Sequence, residues 1–281
     1  MTKKIETWLE GACAKLQRVS EQPALEARVL VAHAIGQTQA WVIAHTEYEL
    51  QPNQLIWLDE TLEKLVQGVP LPYLTGHQEF YGLDFIVSPQ VLIPRPETEL
   101  LVETALTWLQ THPARRRTAD VGTGSGCIAI SLAKHTPDLL CIASDISRSA
   151  LQIAACNAAR HNIGKNLLLL QTDLLLAVDT QFDLVCANLP YIPAADLTYL
   201  EVSRHEPAVA LNGGADGLSF IRRLMADACR WLAPGGTLLI EIEARQEQSA
   251  TAIARHLFPH AEINVWHDLA GHARLLQLEN C

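Results

Sequence analysis

A glycine-rich segment, Gly122-Thr123-Gly124-Ser125-Gly126, carries the clearest chemical signal in this sequence of 281 residues. It follows the short apolar run 118–121 and precedes the stretch 127–135, which has the pattern of a helix. Glycine permits backbone angles and close ligand approaches that other residues resist. The first turn of the following helix offers free N–H donors and a partial positive charge. This arrangement predicts a site at which the backbone approaches a bound cofactor.

Two acidic residues narrow the choice of cofactor. Asp145 lies in the apolar run 139–146, nineteen residues after Gly126, a distance at which a carboxylate can hold the hydroxyls of a ribose. Asp120 precedes the first glycine, where an acid suits an ammonium group and repels a pyrophosphate. S-adenosyl-L-methionine has an ammonium group, a carboxylate and a ribose, so it fits this pattern. The dinucleotide fingerprint fits less well because Cys127 replaces its third small residue; a turn that only closes a strand–helix unit is the simplest alternative.

A second polar group, the tetrapeptide Asn188-Leu189-Pro190-Tyr191, follows the apolar run 182–187. Ligands of open α/β sheets bind beyond the carboxyl ends of the strands, so the tetrapeptide is expected beside the glycine-rich segment. The Asn188 side-chain oxygen and the Leu189 carbonyl could both accept hydrogen bonds from one planar NH2 group. Pro190 keeps residue 189 extended and has no competing N–H, and Tyr191 offers a ring face to a flat group.

Such a pair of acceptors suits the methylation of an amide or an aromatic amine. These nitrogens are poor nucleophiles because their lone pair is delocalised. Acceptors that form hydrogen bonds with the N–H groups restore part of the nucleophilic character of the lone pair. Alignment of the reacting atoms alone contributes ~7–11 kcal/mol. A strand that ends in an ordinary X-Pro turn is the simpler alternative.

The elements that position these residues alternate between strand and helix. Strands are predicted at 118–121, 139–146, 167–172, 182–187, 237–243, 262–267 and 273–279, and helices at 126–135, 148–161, 217–232 and 246–257. The pattern predicts an α/β fold with a doubly wound, mostly parallel, seven-stranded sheet that is covered on both faces. Because only residues 268–272 separate the last two strands, an antiparallel edge hairpin is expected.

The first seventy residues predict a small all-α domain. Apolar residues recur at helical spacing from Ile5 to Leu16 and again between residues 55 and 66. Prolines and glycines then break the helical pattern, and two short runs around Gly82 predict a β-hairpin linker. A helix is expected at 96–110. The predicted organisation is a helical domain at 1–70, a linker at 71–94 and a cofactor-binding domain at 95–281.

Composition limits the partners and the location. Lys and Arg number 21 and Asp and Glu 31, for a net charge of −10, which argues against a long nucleic acid as partner. The seven cysteines and eleven histidines show no C-x-x-C pair and no clustered ligand spacing, so no metal site is predicted. Because no apolar run approaches ~20 residues and no signal-peptide core is present, a cytoplasmic protein without a membrane partner is expected.

Six segments follow one another along the chain at residues 71–76, 80–82, 92–99, 120–126, Glu206-Pro207 and 210–218. Together and in this order, they resemble the glutamine methyltransferases that modify peptide chain release factors. The resemblance covers nearly the whole chain and implies a class I S-adenosyl-L-methionine-dependent methyltransferase domain behind an N-terminal helical domain. The implied reaction is methyl transfer to the side-chain amide of the glutamine in a release factor's Gly-Gly-Gln motif, and a monomer is expected.

Residue roles follow from the resemblance by position. The residues expected at the cofactor are Asp120, Gly122, Thr123, Gly124, Ser125, Gly126, Asp145 at the ribose, Asp173 and Leu174 at the adenine, and Asn188. The residues expected at the substrate glutamine are Asn188, Leu189, Pro190 and Tyr191, with Asn188 and Tyr191 as the catalytic pair. Two positions depart from the family pattern. Leu189 replaces the first proline of Asn-Pro-Pro-Tyr, although its backbone carbonyl survives, and Leu174 stands where an aromatic residue often flanks the adenine.

Three alternative functions stay open. A related group of methyltransferases modifies a glutamine in a ribosomal protein, but Glu206-Pro207 and the segment 93–99 favour the release-factor branch. An amino-methyltransferase acting on adenine in nucleic acid would use the same acceptors, but the charge of −10 argues against it. A cofactor-binding protein without catalysis would not need the intact Asn188 and Tyr191.

Overall fold

The computed structural model of the protein describes residues 2–279. It divides into two units, Met1–Gly76 and His77–Cys281. The elements of the first unit are β1 (Lys3–Lys4), α1 (Ile5–Leu16), α2 (Pro23–Ile35), α3 (Gln39–Ala44), β2 (Glu49–Leu50), α4 (Pro52–Val66) and α5 (Leu71–Thr75).

The apolar stripes of the sequence form the core of the first unit. Ile5, Trp8 and Leu16 of α1 pack with Leu30 of α2 and Leu58 of α4, and all five are buried. The prediction of helices alone misses a short antiparallel ladder between β1 and β2. It also misses α5, which was expected to be part of the linker: prolines are tolerated in the first turn of a helix, where the missing N–H would have had no partner.

The second unit contains the predicted alternation of strands and helices. Its elements are β3 (His77–Phe80), β4 (Leu83–Ile86), α6 (Glu99–Thr111), β5 (Arg117–Val121), α7 (Cys127–His135), β6 (Leu140–Asp145), α8 (Arg148–Arg160), β7 (Leu167–Gln171), β8 (Phe182–Ala187), α9 (Ala208–Leu211), α10 (Ser219–Trp231), β9 (Leu232–Glu241), α11 (Glu247–Leu257), β10 (Glu262–His267) and β11 (Ala273–Glu279).

Seven strands form one sheet in the order β10-β11-β9-β8-β5-β6-β7. The five strands from β9 to β7 are parallel, and β10 and β11 are antiparallel at one edge. Successive residues of β8 lie in two different buried clusters, so the sheet is covered on both faces. The predicted fold class is therefore confirmed.

The predicted boundaries differ most at β9 and at the hairpin. β9 begins at Leu232, five residues before the predicted start, because its Pro-Gly-Gly stretch reads as a turn but is accommodated by an irregularity in the β8–β9 register. The hairpin of β3 and β4 turns at Tyr81 and Gly82, which both have positive φ, as in the tight turns that suit the twist of paired strands. Its Phe80 and Phe85 are buried in a core cluster of the second unit. Within residues 2–279, none of the helices has the length and apolar character needed to cross a membrane.

Candidate active site

The glycine-rich segment turns sharply between β5 and α7 at the carboxyl edge of the sheet. Gly122, Gly124 and Gly126 have φ angles of 76°, 55° and 83°, a region that residues with a Cβ atom avoid. Gly122 donates a backbone hydrogen bond of 2.9 Å to the carbonyl of Ser144, which joins the segment to the end of β6. A Cβ atom on Gly122 would lie 3.0 Å from Leu189 Cδ2. The segment is thus packed closely against the tetrapeptide, as the topology of the sheet predicts.

Asp145 fixes the other side of the segment. Its Oδ2 atom accepts a hydrogen bond of 2.9 Å from the backbone N–H of Gly124, and its Oδ1 atom accepts one of 2.8 Å from Ser147. Burial raises the pKa of this carboxyl, and the backbone hydrogen bonds act in the opposite direction. Because each carboxylate oxygen can accept more than one hydrogen bond, Asp145 keeps acceptors for the hydroxyls of a ligand.

Asp120 lies beneath the segment and is fully buried. Its Oδ2 atom accepts hydrogen bonds from the Thr123 hydroxyl at 2.6 Å and from the Ala129 N–H at 3.2 Å. Its Oδ1 atom has no hydrogen-bond partner within the described residues. Burial raises the pKa of Asp120 to about 6. The carboxyl therefore holds the loop from inside, and its predicted contact with a ligand ammonium group stays a prediction.

An open cleft extends along this edge of the sheet. The predicted site residues that line it are Gly122, Thr123, Gly124, Ser125, Asp145, Asp173, Leu174, Asn188, Leu189 and Pro190. Asp120, Gly126 and Tyr191 are the predicted site residues that lie outside this lining in the described chain. Phe220 of α10 also lines the cleft and adds an aromatic surface to it, which the sequence alone did not indicate.

Two hydrogen-bond acceptors of the tetrapeptide are open. Asn188 Nδ2 donates to the Thr98 hydroxyl at 3.0 Å. Among residues 2–279, no donor is bonded to Asn188 Oδ1 or to the backbone carbonyl of Leu189. Both residues line the cleft, so the acceptor pair predicted from the sequence is available to a ligand.

The far side of the tetrapeptide is held by polar and backbone contacts. Gln246 Nε2 donates to the Tyr191 carbonyl at 2.9 Å and to the Gly217 carbonyl at 3.2 Å. Gly217 comes so close that a Cβ atom on it would lie 2.1 Å from the Tyr191 carbonyl oxygen. Burial raises the pKa of the Tyr191 phenol to about 12, so this hydroxyl stays protonated at neutral pH.

Known proteins with similar sequences match this chain over most of its length. Two family models match it: the PrmC N-terminal domain over residues 7–76 and the methyltransferase small domain over residues 96–204. The release factor glutamine methyltransferase of Moorella thermoacetica is 42% identical over 257 residues, which are 90% of each chain. The chain belongs to the release factor glutamine methyltransferase family. The predicted family and the prediction of a methyltransferase are confirmed.

A second relative agrees with this membership of the release factor glutamine methyltransferase family, and one solved structure shares the fold. The release factor glutamine methyltransferase of Koribacter versatilis is 43% identical over 224 residues, which are 78% of this chain and 79% of its own. A methyltransferase from Pyrococcus furiosus shares the fold with a TM-score of 0.51 at 17% identity, over 72% of this chain and 90% of that one. At this identity the likeness concerns the fold alone.

Four buried polar residues support the site in this member of the release factor glutamine methyltransferase family, and sequence reasoning missed them. They are Thr98, Asn157, Glu241 and Gln246. Glu241 did carry a signal, because it is an acid inside a predicted apolar strand that ends at the same edge as the tetrapeptide. Asn157 carried none, because a single Asn in a helix reads as a surface residue.

Glu206, which belongs to one of the segments that carry the family resemblance, makes contacts within the chain that the sequence did not indicate. Its carboxylate is buried and accepts hydrogen bonds from the Ile93 N–H at 3.1 Å and from the Arg95 side chain. Arg95 itself lines the cleft. Glu206 therefore connects its loop to the segment that carries Arg95.

Proposed function

We propose that the protein transfers a methyl group from S-adenosyl-L-methionine to the side-chain amide nitrogen of the glutamine in the Gly-Gly-Gln motif of peptide chain release factors. One observation carries the proposal. The open acceptors Asn188 Oδ1 and Leu189 O belong to residues that line the same cleft as the glycine-rich segment, and Leu189 packs against Gly122. The relatives named release factor glutamine methyltransferase support the choice of partner.

The residues of the cleft fit S-adenosyl-L-methionine. A Cβ atom on Gly124 would meet nothing within 4 Å among the described residues, so the segment leaves room above its backbone. Asp145 would hold the ribose hydroxyls, and Leu174 and Phe220 offer apolar surface for the adenine. When bound, S-adenosyl-L-methionine supplies a methyl group activated by its sulfonium. Leu174 has a φ of 50°, an unusual angle for a leucine, which turns the chain after β7 at the place where Asp173 and Leu174 line the cleft.

The chain's own residues act on the glutamine amide. Asn188 Oδ1 and Leu189 O would each accept a hydrogen bond from one N–H group of this amide. The two hydrogen bonds would orient the nitrogen and make its lone pair more nucleophilic. Held in this way, the nitrogen would take up the methyl group that S-adenosyl-L-methionine supplies from its sulfonium, with the sulfur as the leaving group. The nitrogen becomes acidic only as the N–C bond forms, so no strong base is needed beforehand, and one proton leaves to solvent. Leu189 keeps the acceptor that a proline would offer, because this acceptor is a backbone atom, and Pro190 still restrains the conformation of residue 189.

Mass mapping of the methylated residue tests the proposal. Purified protein is incubated with labelled S-adenosyl-L-methionine and, in separate reactions, with a release factor, the same factor with its Gly-Gly-Gln glutamine changed to alanine, a ribosomal protein mixture and nucleic acid. We expect one added methyl on that glutamine and none in the alanine variant. Label that appears only on the ribosomal proteins or on nucleic acid would contradict the proposed substrate.

The variant Asn188→Ala separates catalysis from cofactor binding. We expect turnover to fall by about a thousandfold, since loss of one oriented polar group in a catalytic site costs 10²–10³, while cofactor affinity falls much less. Asn264→Ala on β10, three places from β8 in the sheet, is the control and should leave turnover unchanged. Equal losses of turnover and cofactor affinity in Asn188→Ala would place Asn188 in the cofactor pocket instead.

A further inference from the structure

A buried acid lies directly behind the acceptor pair. Glu241 is the last residue of β9, and Ile240 before it pairs with Ala187 of β8, so Glu241 is beside Asn188 at the carboxyl edge of the sheet. Only 3% of Glu241 is exposed. Its Oε2 atom has no hydrogen-bond partner in the part of the chain that the structure describes. A carboxyl in this position is costly to bury unless hydrogen bonds or nearby charges compensate for its lost hydration.

Thr98 connects this acid to the tetrapeptide. Its hydroxyl accepts the hydrogen bond of 3.0 Å from Asn188 Nδ2. The Thr98 hydroxyl and the Asn188 amide both favour the charged form of the Glu241 carboxyl and lower its pKa. Thr98 occupies the N-cap position of α6, a position at which a threonine usually accepts a bond from its own helix. Within residues 2–279, its side chain makes no such cap bond, so the hydroxyl serves Asn188 and Glu241 instead.

The direction of donation in this group is fixed by chemistry. An ionised carboxylate only accepts hydrogen bonds. The Thr98 hydroxyl must therefore donate to Glu241, which leaves the lone pairs of the hydroxyl to accept from Asn188 Nδ2. With its NH2 group held in this way, the amide of Asn188 must present Oδ1 to the cleft. The wrong amide orientation would place a donor against the substrate NH2 group and repel it.

We propose that Glu241 is a positioning residue for methyl transfer, which acts through Thr98 to hold the Asn188 amide with its oxygen towards the substrate nitrogen. The inference rests on the proposed function and assigns it a residue that does not itself touch substrate.

The surroundings of Glu241 bring its ionisation into the physiological range. The pKa of Glu241 is raised to about 7, chiefly by burial and to a smaller extent by Glu97, while Thr98, Arg274 and Asn188 act in the opposite direction. The other titratable groups that sense its charge are Tyr191 and Cys127, and burial raises the pKa of both to about 12. Neither of these two groups changes charge between pH 6 and pH 8. Asp120, whose pKa burial raises to about 6, also ionises at the lower end of this range. The part of the rate change that Glu241→Gln removes therefore reports on Glu241.

Variants of Thr98 test the connection with little change in volume. Thr98→Val removes the hydroxyl, and we expect kcat to fall about tenfold to a hundredfold, as for a small misplacement of a reacting group, with the KM for S-adenosyl-L-methionine nearly unchanged. Thr98→Ser keeps the hydroxyl and should restore most of kcat. The matched control is Thr118→Val in β5, because Thr118 is fully buried and its hydroxyl has no partner in the described chain. This control should keep the wild-type kcat.

The pH profile tests the acid itself. With a release factor as substrate, the wild-type kcat should rise between pH 6 and pH 8 as Glu241 ionises, while Glu241→Gln should be slower and nearly independent of pH over this range. Thermal unfolding of each variant confirms that it is folded. The proposal is overturned if folded Thr98→Val and Glu241→Gln both keep the wild-type kcat, if Thr98→Ser is as slow as Thr98→Val, or if Glu241→Gln keeps the wild-type pH profile. A wild-type protein that methylates no release factor refutes the proposed function instead.

Discussion

The side chain of Gln246 is bonded to the backbone of Tyr191, the last residue of the tetrapeptide, with 2.9 Å between Nε2 and the carbonyl oxygen. The same NH2 group donates to the Gly217 carbonyl at 3.2 Å, and Gln246 Oε1 accepts from the Glu243 N–H at 3.2 Å. Gln246 is 6% exposed. One buried amide thus joins three segments of backbone, and one of them carries the acceptors for the substrate.

Gln246→Met should impair both stability and turnover. The methionine fills nearly the same space but leaves two buried carbonyls without donors, at about 1–3 kcal/mol for each unsatisfied group. Release of the Tyr191 carbonyl should also lower kcat about tenfold or more, because small displacements of reacting groups are costly. Chemical denaturation and steady-state kinetics measure the two effects. Gln277→Met on β11, another buried glutamine with side-chain hydrogen bonds, should lose stability but keep kcat, and an equal loss of kcat in both would contradict this role of Gln246.

Gly217 offers a test of close packing against the tetrapeptide. Its φ is 76°, and that of Gly271 in the β10–β11 turn is 82°, so an alanine at either position carries a similar backbone strain of about 1–2 kcal/mol. The two sites differ in their surroundings. A Cβ atom would lie 2.1 Å from the Tyr191 carbonyl oxygen at Gly217 but would meet no described atom within 4 Å at Gly271.

We therefore expect Gly217→Ala to lower kcat strongly and Gly271→Ala to leave it unchanged, although both should lower the melting temperature. The comparison removes the contribution of strain alone. Equal kinetics of the two variants would show that the tetrapeptide moves without consequence for methyl transfer.

Asn157 of α8 connects the glycine-rich segment to the β3–β4 hairpin. Its Nδ2 atom donates to the Ser125 and Ile86 carbonyls, both at 2.9 Å, and its Oδ1 atom accepts from the Ile86 N–H at 2.7 Å. The side chain is fully buried. Asn157→Leu should raise the Kd for S-adenosyl-L-methionine more than it lowers kcat, because the segment would lose a support on the cofactor side.

Isothermal titration calorimetry and kinetics at saturating cofactor separate these two effects for Asn157→Leu. The variant should also lose about 1–3 kcal/mol of stability for each buried group left without a partner. A variant that loses stability but binds the cofactor as tightly as the wild type would restrict Asn157 to a structural role.

Most of the fold was predictable because its signals are local. The period of apolar residues marks each strand and helix, and the five residues between β10 and β11 leave only a hairpin. β9 was predicted too short because a Pro-Gly-Gly stretch has the composition of a turn, and only its partner β8 shows that it continues the strand. Helix α5 was missed for a similar reason: prolines mark the end of a helix more often than its first turn.

The sequence predicted the site residues whose types and spacing imply ligand chemistry. It did not predict the residues that act through contacts with other side chains of the protein. The glycines and the tetrapeptide have types and spacing that imply chemistry. The role of Thr98 and Glu241 is visible only from their positions beside Asn188 in the folded chain. Asn188 lies 90 residues from Thr98 in the sequence. Asp120 shows the reverse case: its type suggested a ligand contact, but the structure places it under the glycine-rich segment and outside the lining of the cleft among the described residues.

Asp120 should make the stability of the ligand-free protein depend on pH. Burial raises its pKa from 3.8 to about 6 in the folded state, so the folded protein binds more protons than the unfolded chain between about pH 4 and pH 6. The contribution of Asp120 to the free energy of unfolding therefore falls as the pH rises through that window. Above the window, the full cost of burying the charged carboxylate is present. The penalty is about 3 kcal/mol at neutral pH by the energy equivalent of such a shift.

Asp120→Asn should remove this penalty and keep the loop intact. The Asn oxygen can still accept from Thr123 and Ala129, while the NH2 group takes the place of Oδ1, which has no partner among residues 2–279. We expect a higher melting temperature than wild type at pH 7.5 and a similar one at pH 4. If the charge also attracts the ammonium group of S-adenosyl-L-methionine, the same variant should bind the cofactor more weakly at pH 7.5, so that stability and affinity change in opposite directions. A melting temperature at or below that of the wild type at pH 7.5 would contradict a buried charge that destabilises the fold, and unchanged affinity would show that Asp120 acts on the loop alone.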